Sequence, residues 1–287
     1  MKKEIRVADE EKGIIQVTTY DERWYAKPDT DKNTKLPTYK FVPSVTWVAS
    51  YYPKGTFFYK WLAEKGWDEA EAIKVAAGNK GSKVHLAIAD ILLGKEVRID
   101  SKFKNPSTGF EEELTLEEIE CIQSFIDWKE ENPGEVIAFE VAVFSDKHNF
   151  AGTVDFIYKI GEEYWLIDFK TGQSVWEESK FQVSAYRETI INGENGFQKL
   201  PPGVDLKLGI LQLGYRMNKK RFKFNVIEPD FEGFLLAQSL WKREAGKQTV
   251  NQKDYKIVLS AARGEYAVPE HDAIAPESND EPITEAV

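Results

Sequence analysis

Two aspartates and a lysine lie in neighbouring apolar segments near the middle of the chain. Asp155 interrupts one apolar run, and Asp168 and Lys170 stand two residues apart in the next. Because side chains alternate along a strand, Asp168 and Lys170 point to one face, and an adjacent strand can bring Asp155 beside them. Two buried carboxylates repel each other unless a cation joins them. The spacing therefore predicts a Mg²⁺-type site that also binds phosphate, with Lys170 neutralising phosphate charge or positioning water.

A simpler interpretation of the same three residues is an Asp–Lys ion pair on a solvated sheet face, which contributes little to stability. The flanking residues favour the chemical interpretation. Trp165, Ile167 and Phe169 indicate a buried strand, and a buried strand carries charges at a cost of several kcal/mol unless they are paired or bind a metal.

The elements that would hold these residues follow from hydrophobic periodicity and capping signals. Strands are predicted at 135–144, 152–160, 163–169, 206–213 and 221–227, and helices at 61–93, 115–132, 176–191 and 229–245. Ser44 and Thr115 are candidate helix N-caps. This order predicts an α/β fold with a central mixed sheet flanked by helices, preceded by a helical N-terminal region.

The domain organisation follows from the same reading. We expect one domain at 1–264, with a helical part at about 41–132 and a catalytic core at about 133–245. Residues 1–40 are predicted to be polar and irregular apart from a strand at 14–18, and residues 98–113 to form a loop or lid. The acidic stretch 265–287 is predicted to be a disordered tail.

Five short motifs occur in a characteristic order. They are Gly81 to His85 (Gly-x-x-x-His), Glu140, Gly152 to Asp155 (Gly-x-x-Asp), Asp168 to Lys170 (Asp-x-Lys) and Gln182 to Tyr186 (Gln-x-x-x-Tyr). In this order the chain resembles the RecB-like branch of the PD-(D/E)XK nuclease superfamily. Its Pro-Ser-Val-Thr segment at 43–46 is similar to the start of phage and mitochondrial genome maintenance exonucleases. The resemblance covers about residues 40–230 and implies a restriction-endonuclease-like core.

The resemblance implies a role for each matching position. Mg²⁺ or Mn²⁺ would be held by His85, Asp155, Asp168 and the backbone carbonyl of Phe169. Asp155, Asp168, Glu140 and Lys170 would be catalytic, with Lys170 assisting the attacking water and Glu140 at the edge of the site. Gln182 and Tyr186 would hold DNA or orient the lysine.

Residue by residue, other interpretations stay open. His85 is also compatible with a core histidine, because Ile88 and Leu92 share its helix face. Glu135 could take the place of Glu140. Gln182 and Tyr186 could be ordinary helix residues.

Two further clusters could contact nucleic acid. The basic run Arg216, Lys219, Lys220, Arg221 and Lys223 contains no acid and lies at a predicted hairpin tip, where it either binds phosphates or forms a solvated turn. Nearer the N-terminus, Tyr51, Tyr52, Phe57, Phe58 and Trp61 are interspersed with Lys54 and Lys60. These aromatic residues either stack on bases or pack the N-terminal helices over the sheet.

Composition limits the remaining classes. The single cysteine, Cys121, excludes an intrachain disulfide and an iron–sulfur cluster held by four cysteines. No signal peptide and no membrane span are predicted, and we expect a cytoplasmic protein of a bacterial or phage-infected cell. The net charge of −10 falls to −3 for residues 1–264, because seven acids and no Lys or Arg follow residue 264. Charge therefore does not exclude DNA as a partner.

Together these features predict a metal-dependent DNA exonuclease of recombination, repair or replication that acts on single strands or free ends. No phosphate loop of a helicase motor is present in the sequence, so a recombination or replication protein could supply the substrate. A structure-specific endonuclease and a catalytically inactive DNA-binding module are the alternatives.

Overall fold

A computed structural model describes residues 4–19, 22–194 and 197–245. The predicted tail at 265–287 lies outside the described residues. Within these ranges the chain forms two larger sheets, one small hairpin and six helices. No helix of the described part is both long enough and apolar enough to cross a membrane.

An antiparallel meander occupies the N-terminal region, where the sequence predicts irregular chain. Its strands, in spatial order, are β1 (Glu4–Asp9), β2 (Ile14–Thr19), β3 (Glu22–Thr30) and β4 (Pro37–Pro43). The strand predicted at 14–18 is confirmed as β2, but the prediction that the rest of residues 1–40 is irregular is wrong. The sequence gives little sign of the other strands because only a few of their positions, such as Trp24 and Tyr25, are buried. Short polar strands with one partly covered face give little periodic hydrophobic signal.

Four helices and a small hairpin follow the meander. They are α1 (Val45–Ala49), α2 (Thr56–Lys65), α3 (Trp67–Leu92), β5 (Lys102–Lys104), β6 (Glu111–Glu113) and α4 (Leu116–Glu131). Ser44 and Thr115 are N-caps as predicted, and Thr115 forms a reciprocal capping box with Glu118. The chain breaks between α2 and α3 at Gly66, whose φ of 74° suits glycine. The predicted loop at 98–113 contains the β5–β6 hairpin.

The central sheet contains five strands and is mixed, as predicted. Its elements are β7 (Glu135–Ser145), β8 (Phe150–Ile160), β9 (Glu163–Lys170), α5 (Glu177–Ile191), β10 (Leu206–Leu213), β11 (Phe222–Ile227) and α6 (Phe231–Ala245). The spatial order is β11-β10-β9-β8-β7, and only β9 and β10 pair in parallel. Helix α5 connects these two strands, as a parallel crossover requires.

Two hydrophobic cores cover the two faces of this sheet. One core joins α1, α5 and α6 to the sheet and includes Phe150, Leu166 and Phe234. The other joins α3 and α4 to the sheet through residues such as Ile88 and Phe125. The α/β fold with a helix-flanked mixed sheet is therefore confirmed, and it holds β8, β9, α3 and α5 around one place.

Candidate active site

The two aspartates lie on neighbouring central strands. Asp155 on β8 accepts a hydrogen bond at Oδ2 from the backbone N–H of Phe169 on β9, at 2.8 Å. Asp168 is opposite Ile210 of the parallel strand β10 and is 2% exposed. The strand pairing therefore places both carboxylates in the interior, as their spacing predicts.

Helix α3 brings His85 to the same place. Its Nδ1 lies 3.4 Å from Oδ1 of Asp155, and its Nε2 lies 3.1 Å from the backbone oxygen of Phe169. The ring thus connects two of the predicted metal ligands. Gly81 lies one turn earlier and faces Thr171, but a Cβ there would meet the Thr171 hydroxyl at an ordinary 3.8 Å. The structure gives no steric reason for glycine at position 81.

Glu140 completes a compact group of donors. Oxygen and nitrogen donors of His85, Glu140 and Asp155 all lie within 4.8 Å of one another. Glu140 has a φ of 48° in the middle of β7, a conformation that bulky residues adopt rarely and that re-aims the side chain. The alternative residue, Glu135, is exposed at the start of β7 and pairs with Lys159 across the ladder.

A second set of contacts surrounds the Asp168 carboxylate. Lys170 Nζ lies 2.7 Å from Oδ2 of Asp168 and donates to Gln182 Oε1 at 3.3 Å. Gln182 Nε2 donates to Oδ1 of Asp168 at 2.8 Å and contacts the Tyr186 hydroxyl at 3.4 Å. Gln182 is therefore buried and binds both Asp168 and Lys170, while Tyr186 reaches them through Gln182. Their role towards DNA stays a prediction.

Burial and mutual repulsion shift the protonation of these groups. Burial raises the pKa of Asp168 to about 6, against the lowering effect of Lys170. Burial, together with the Asp155 charge, also raises the pKa of Glu140. Burial lowers the pKa of His85, but the Asp155 carboxylate more than offsets this and raises it to about 9. Asp168 likewise raises the pKa of Lys170 despite burial, so Lys170 carries a positive charge at neutral pH.

These observations fit a divalent metal. Three carboxylates share one buried region, and Oδ2 of Asp168 is buried without a well-directed hydrogen bond beside its ion pair. A hard cation would relieve this repulsion, because carboxylate and carbonyl oxygens are ligands of both Mg²⁺ and Mn²⁺. The imidazole of His85 is a less usual partner for Mg²⁺, which makes Mn²⁺ a plausible alternative. The donors His85, Glu140 and Asp155 would hold it, with Asp168 and the Phe169 carbonyl beside them.

The predicted DNA-contacting basic run lies at the tip between β10 and β11, where acids of α4 meet it. Arg216 pairs with Glu117 at 2.7 Å, and Arg221 lies 3.5 Å from Glu120. Lys220 pairs with Glu131 at 2.5 Å. Lys219 and Lys220 line a cleft together with Glu131. The pairing with α4 reduces the net positive charge available to a phosphate.

Arg216 is the member of this run nearest to the candidate site. Its backbone N–H donates to Gln173 at 2.9 Å, three residues after Lys170. Lys80 of α3 lies 3.4 Å from the Glu117 carboxylate that Arg216 also binds. A cleft of about 230 Å³ is therefore lined by two cations, Lys80 and Arg216, and two acids, Glu117 and Glu120, directly beside the segment that follows the lysine.

Two contacts from the N-terminal meander to the site are not evident from the sequence. Arg6 on β1 lies 3.3 Å from Glu140. Tyr25 on β3 exchanges a hydrogen bond with Thr153 on β8 at 3.1 Å, two residues before Asp155. No local pattern signals either contact, because each joins segments that are more than 120 residues apart in the chain.

Comparison with known proteins supports the same assignment. The profile of the PD-(D/E)XK nuclease superfamily matches residues 59–269, which include all five motifs of the site. No curated protein sequence matches the chain. The profile covers well over half of the 287 residues, and the chain therefore belongs to the PD-(D/E)XK nuclease superfamily.

Proposed function

We propose that this protein is a Mg²⁺- or Mn²⁺-dependent DNA exonuclease that acts in recombination, repair or replication. One observation carries the proposal: the donors of His85, Glu140 and Asp155 lie within 4.8 Å of one another, beside the charged Lys170–Asp168 pair. A nuclease of this superfamily acts on DNA and uses divalent metal. The exonuclease assignment is supported by the resemblance of the motif set to end-processing enzymes.

The protein's own residues supply positioning and charge. Lys170 is protonated, so it donates hydrogen bonds to a phosphate oxygen or an attacking water and does not act as a base. Asp168 and Gln182 hold its ammonium group in one place. A bound divalent cation supplies Lewis-acid stabilisation of phosphate charge and acidifies water. Glu140, at the edge of the site, would bind the cation together with His85 and Asp155.

DNA reaches this site from the tip between β10 and β11 in the proposed arrangement. Arg216 is the best placed phosphate contact, because its backbone is anchored to Gln173 next to the site. Lys219, Lys220 and Arg221 lie farther along the same tip and would contact backbone phosphates in competition with the acids of α4.

The deciding experiment is cleavage of end-labelled linear DNA, single-stranded and duplex, with Mg²⁺, Mn²⁺ or EDTA. We expect metal-dependent shortening from one end, which Asp168→Ala and Lys170→Ala each abolish while circular dichroism reports an intact fold. Asp100→Ala is the matched control, because the Asp100 side chain is 63% exposed and, within the described ranges, its ion pair is with nearby Arg98 alone.

Each other outcome selects a different function. Cleavage of a closed circle would identify an endonuclease, since such a molecule has no end. Metal-independent DNA binding without cleavage would identify a binding module. Cleavage that persists in the purified Asp168→Ala, Lys170→Ala double variant would refute the assignment of the site.

A further inference from the structure

Helix α2 is rich in aromatic residues, yet none of its residues is buried. Phe57 is 87% exposed and Tyr59 is 55% exposed. Aromatic side chains of this size usually supply core or interface area. Tyr51 and Tyr52, at the start of the aromatic run, do pack: Tyr51 lies against the core that joins α1, α5 and α6 to the sheet, and the Tyr52 ring lies 4.9 Å from the Phe181 ring. The interpretation that the aromatic run packs the N-terminal helices over the sheet does not account for the exposed aromatic residues of α2.

Part of this surface forms a continuous group of rings. Phe58 contacts Trp61 at 5.8 Å and Trp176 at 6.4 Å between ring centroids. Lys54 Nζ lies 5.7 Å from the Phe58 ring and 5.5 Å from the Trp176 ring. Phe57 precedes Phe58 on α2 and has no ring contact with this group among the described residues, but it is the most exposed aromatic residue of the helix and lies 6.0 Å from Lys60 Nζ. Phe57, Phe58, Trp61 and Trp176 are called the aromatic platform below.

The platform lies next to the candidate active site through α5. Trp176 is the N-cap of α5 and is 51% exposed, and its side chain makes no capping hydrogen bond. Gln182, which binds Asp168, follows six residues later on the same helix. At about 1.5 Å of rise per residue, this separation is about 9 Å along the helix axis.

The composition of the platform indicates its ligand. Residues 51–63 contain six aromatic residues, Lys54 and Lys60. Lys54 is ion-paired with Glu178 of α5, and Lys60 Nζ lies 6.0 Å from the Phe57 ring. Every base has a face that can stack on an aromatic ring, and a lysine beside the rings, such as Lys60, attracts the phosphate backbone. The core of a protein–protein interface is, in contrast, depleted in lysine. A duplex hides its base faces except at the ends, so the platform suits an unpaired strand.

We propose that the aromatic platform binds the bases of single-stranded DNA and leads that strand to the site around Asp168. The proposal names the substrate class of the proposed nuclease and rests on that function for its purpose. The binding itself can be measured without cleavage.

The first test is fluorescence anisotropy of a fluorescein-labelled oligothymidylate in EDTA, where cleavage is not supported. We expect Phe57→Ala and Trp176→Ala each to weaken binding by about 5- to 150-fold, the range found when one stacking ring is removed. A blunt duplex of equal length should change by less than about 2-fold on the same scale. Phe110→Ala is the matched control, because Phe110 is 74% exposed on the β5–β6 hairpin and has no ring contact with the platform among the described residues.

The proposal is overturned if Phe57→Ala and Phe110→Ala bind the single strand equally, or if duplex binding falls as much as single-strand binding. It is also overturned if light scattering shows that the wild type self-associates through Phe57 while oligothymidylate affinity stays unchanged. That result would assign the platform to a second copy of the chain.

Cleavage separates this inference from the proposed function. If metal-dependent cleavage is unchanged in Phe57→Ala and Trp176→Ala, the platform does not bind the substrate, but the protein is still a nuclease. If single-strand binding depends on Phe57 but no DNA is cleaved, the proposed nuclease function is refuted and the platform is still a binding surface for single strands.

Discussion

Gly152 lies on β8 against the ring of Tyr186, three residues before Asp155. A Cβ at this position would lie 2.4 Å from the nearest ring carbon of Tyr186 and 2.6 Å from its hydroxyl oxygen. Contacts between carbon atoms are favourable at about 3.5 Å or more. The substitution Gly152→Ala therefore forces the ring back by about 1 Å. Tyr186 is 3% exposed, so it cannot swing into solvent.

The expected cost of this overpacking is about 1–3 kcal/mol of unfolding free energy. Each kcal/mol lowers the Tm of a domain of this size by about 2–4 °C. The displaced Tyr186 also moves Gln182, which holds Asp168 and Lys170. A displacement of about 1 Å in a positioning group can reduce turnover by about 100-fold, so cleavage should fall further than the folded fraction does.

Two other glycines provide matched controls, and all variants are compared by thermal unfolding and by DNA cleavage per folded molecule. A Cβ on Gly209 would lie 2.4 Å from the Phe224 ring, the same crowding on β10, so Gly209→Ala should lose stability but keep its specific activity. Gly78 in α3 has no atom within 4 Å of the added carbon. Gly78→Ala should therefore raise the free energy of unfolding by about 1 kcal/mol, because alanine favours the helix over glycine. The reasoning is refuted if Gly152→Ala melts with the wild type, or if Gly152→Ala and Gly209→Ala reduce cleavage equally.

Three further predictions follow from other parts of the structure. Added Mn²⁺ should raise the Tm of the wild type in a concentration-dependent way, and Asp155→Asn should abolish the rise. Asp146→Asn, in the turn after β7 where Asp146 pairs with Lys27 and Lys40, should keep it. Lys83→Ala should lower the free energy of unfolding in urea by about 3–5 kcal/mol, because it leaves the buried Glu118 carboxylate without its ion-pair partner at 2.8 Å. A decrease of less than about 1 kcal/mol would contradict this prediction. Burial raises the pKa of Cys121 to about 11, so the native thiol should resist alkylation at pH 9 and react only in denaturant. Because this folded pKa exceeds the unfolded value, the contribution of Cys121 to stability is complete below pH 9 and is lost as the pH rises towards 11. Fast alkylation of the native protein at pH 9 would contradict the prediction, because it would show that the thiol is accessible.

Much of the fold is encoded locally. The N-caps Ser44 and Thr115, the tight turn at Gly161 and the apolar strands β7 to β9 follow from patterns within a few residues. The motif residues Asp155, Asp168 and Lys170 are also visible in the sequence, because charged side chains inside apolar strands need a partner. These features predict both the mixed sheet and the centre of the site.

The surroundings of the site are decided by long-range packing. Only the tertiary structure brings Arg6 to Glu140 across 134 positions, and Tyr25 to Thr153 across 128. Apart from the strand predicted at 14–18, the meander that carries Arg6 and Tyr25 has no strong periodicity, so the sequence does not reveal it as a sheet. The positive φ of Glu140 likewise follows from its place in the β7–β8 ladder and not from its residue type.

The sequence by itself determined which residues carry the chemistry and on which kinds of element they lie. The tertiary structure decided which of them share one place, and that Gln182 and Tyr186 face Asp168 while the aromatic residues of α2 remain exposed. The physical reason is that periodicity and capping depend on neighbours within a few residues. Strand pairing and burial depend instead on packing between segments that are distant in the chain, and each such contact is specified by both partners together.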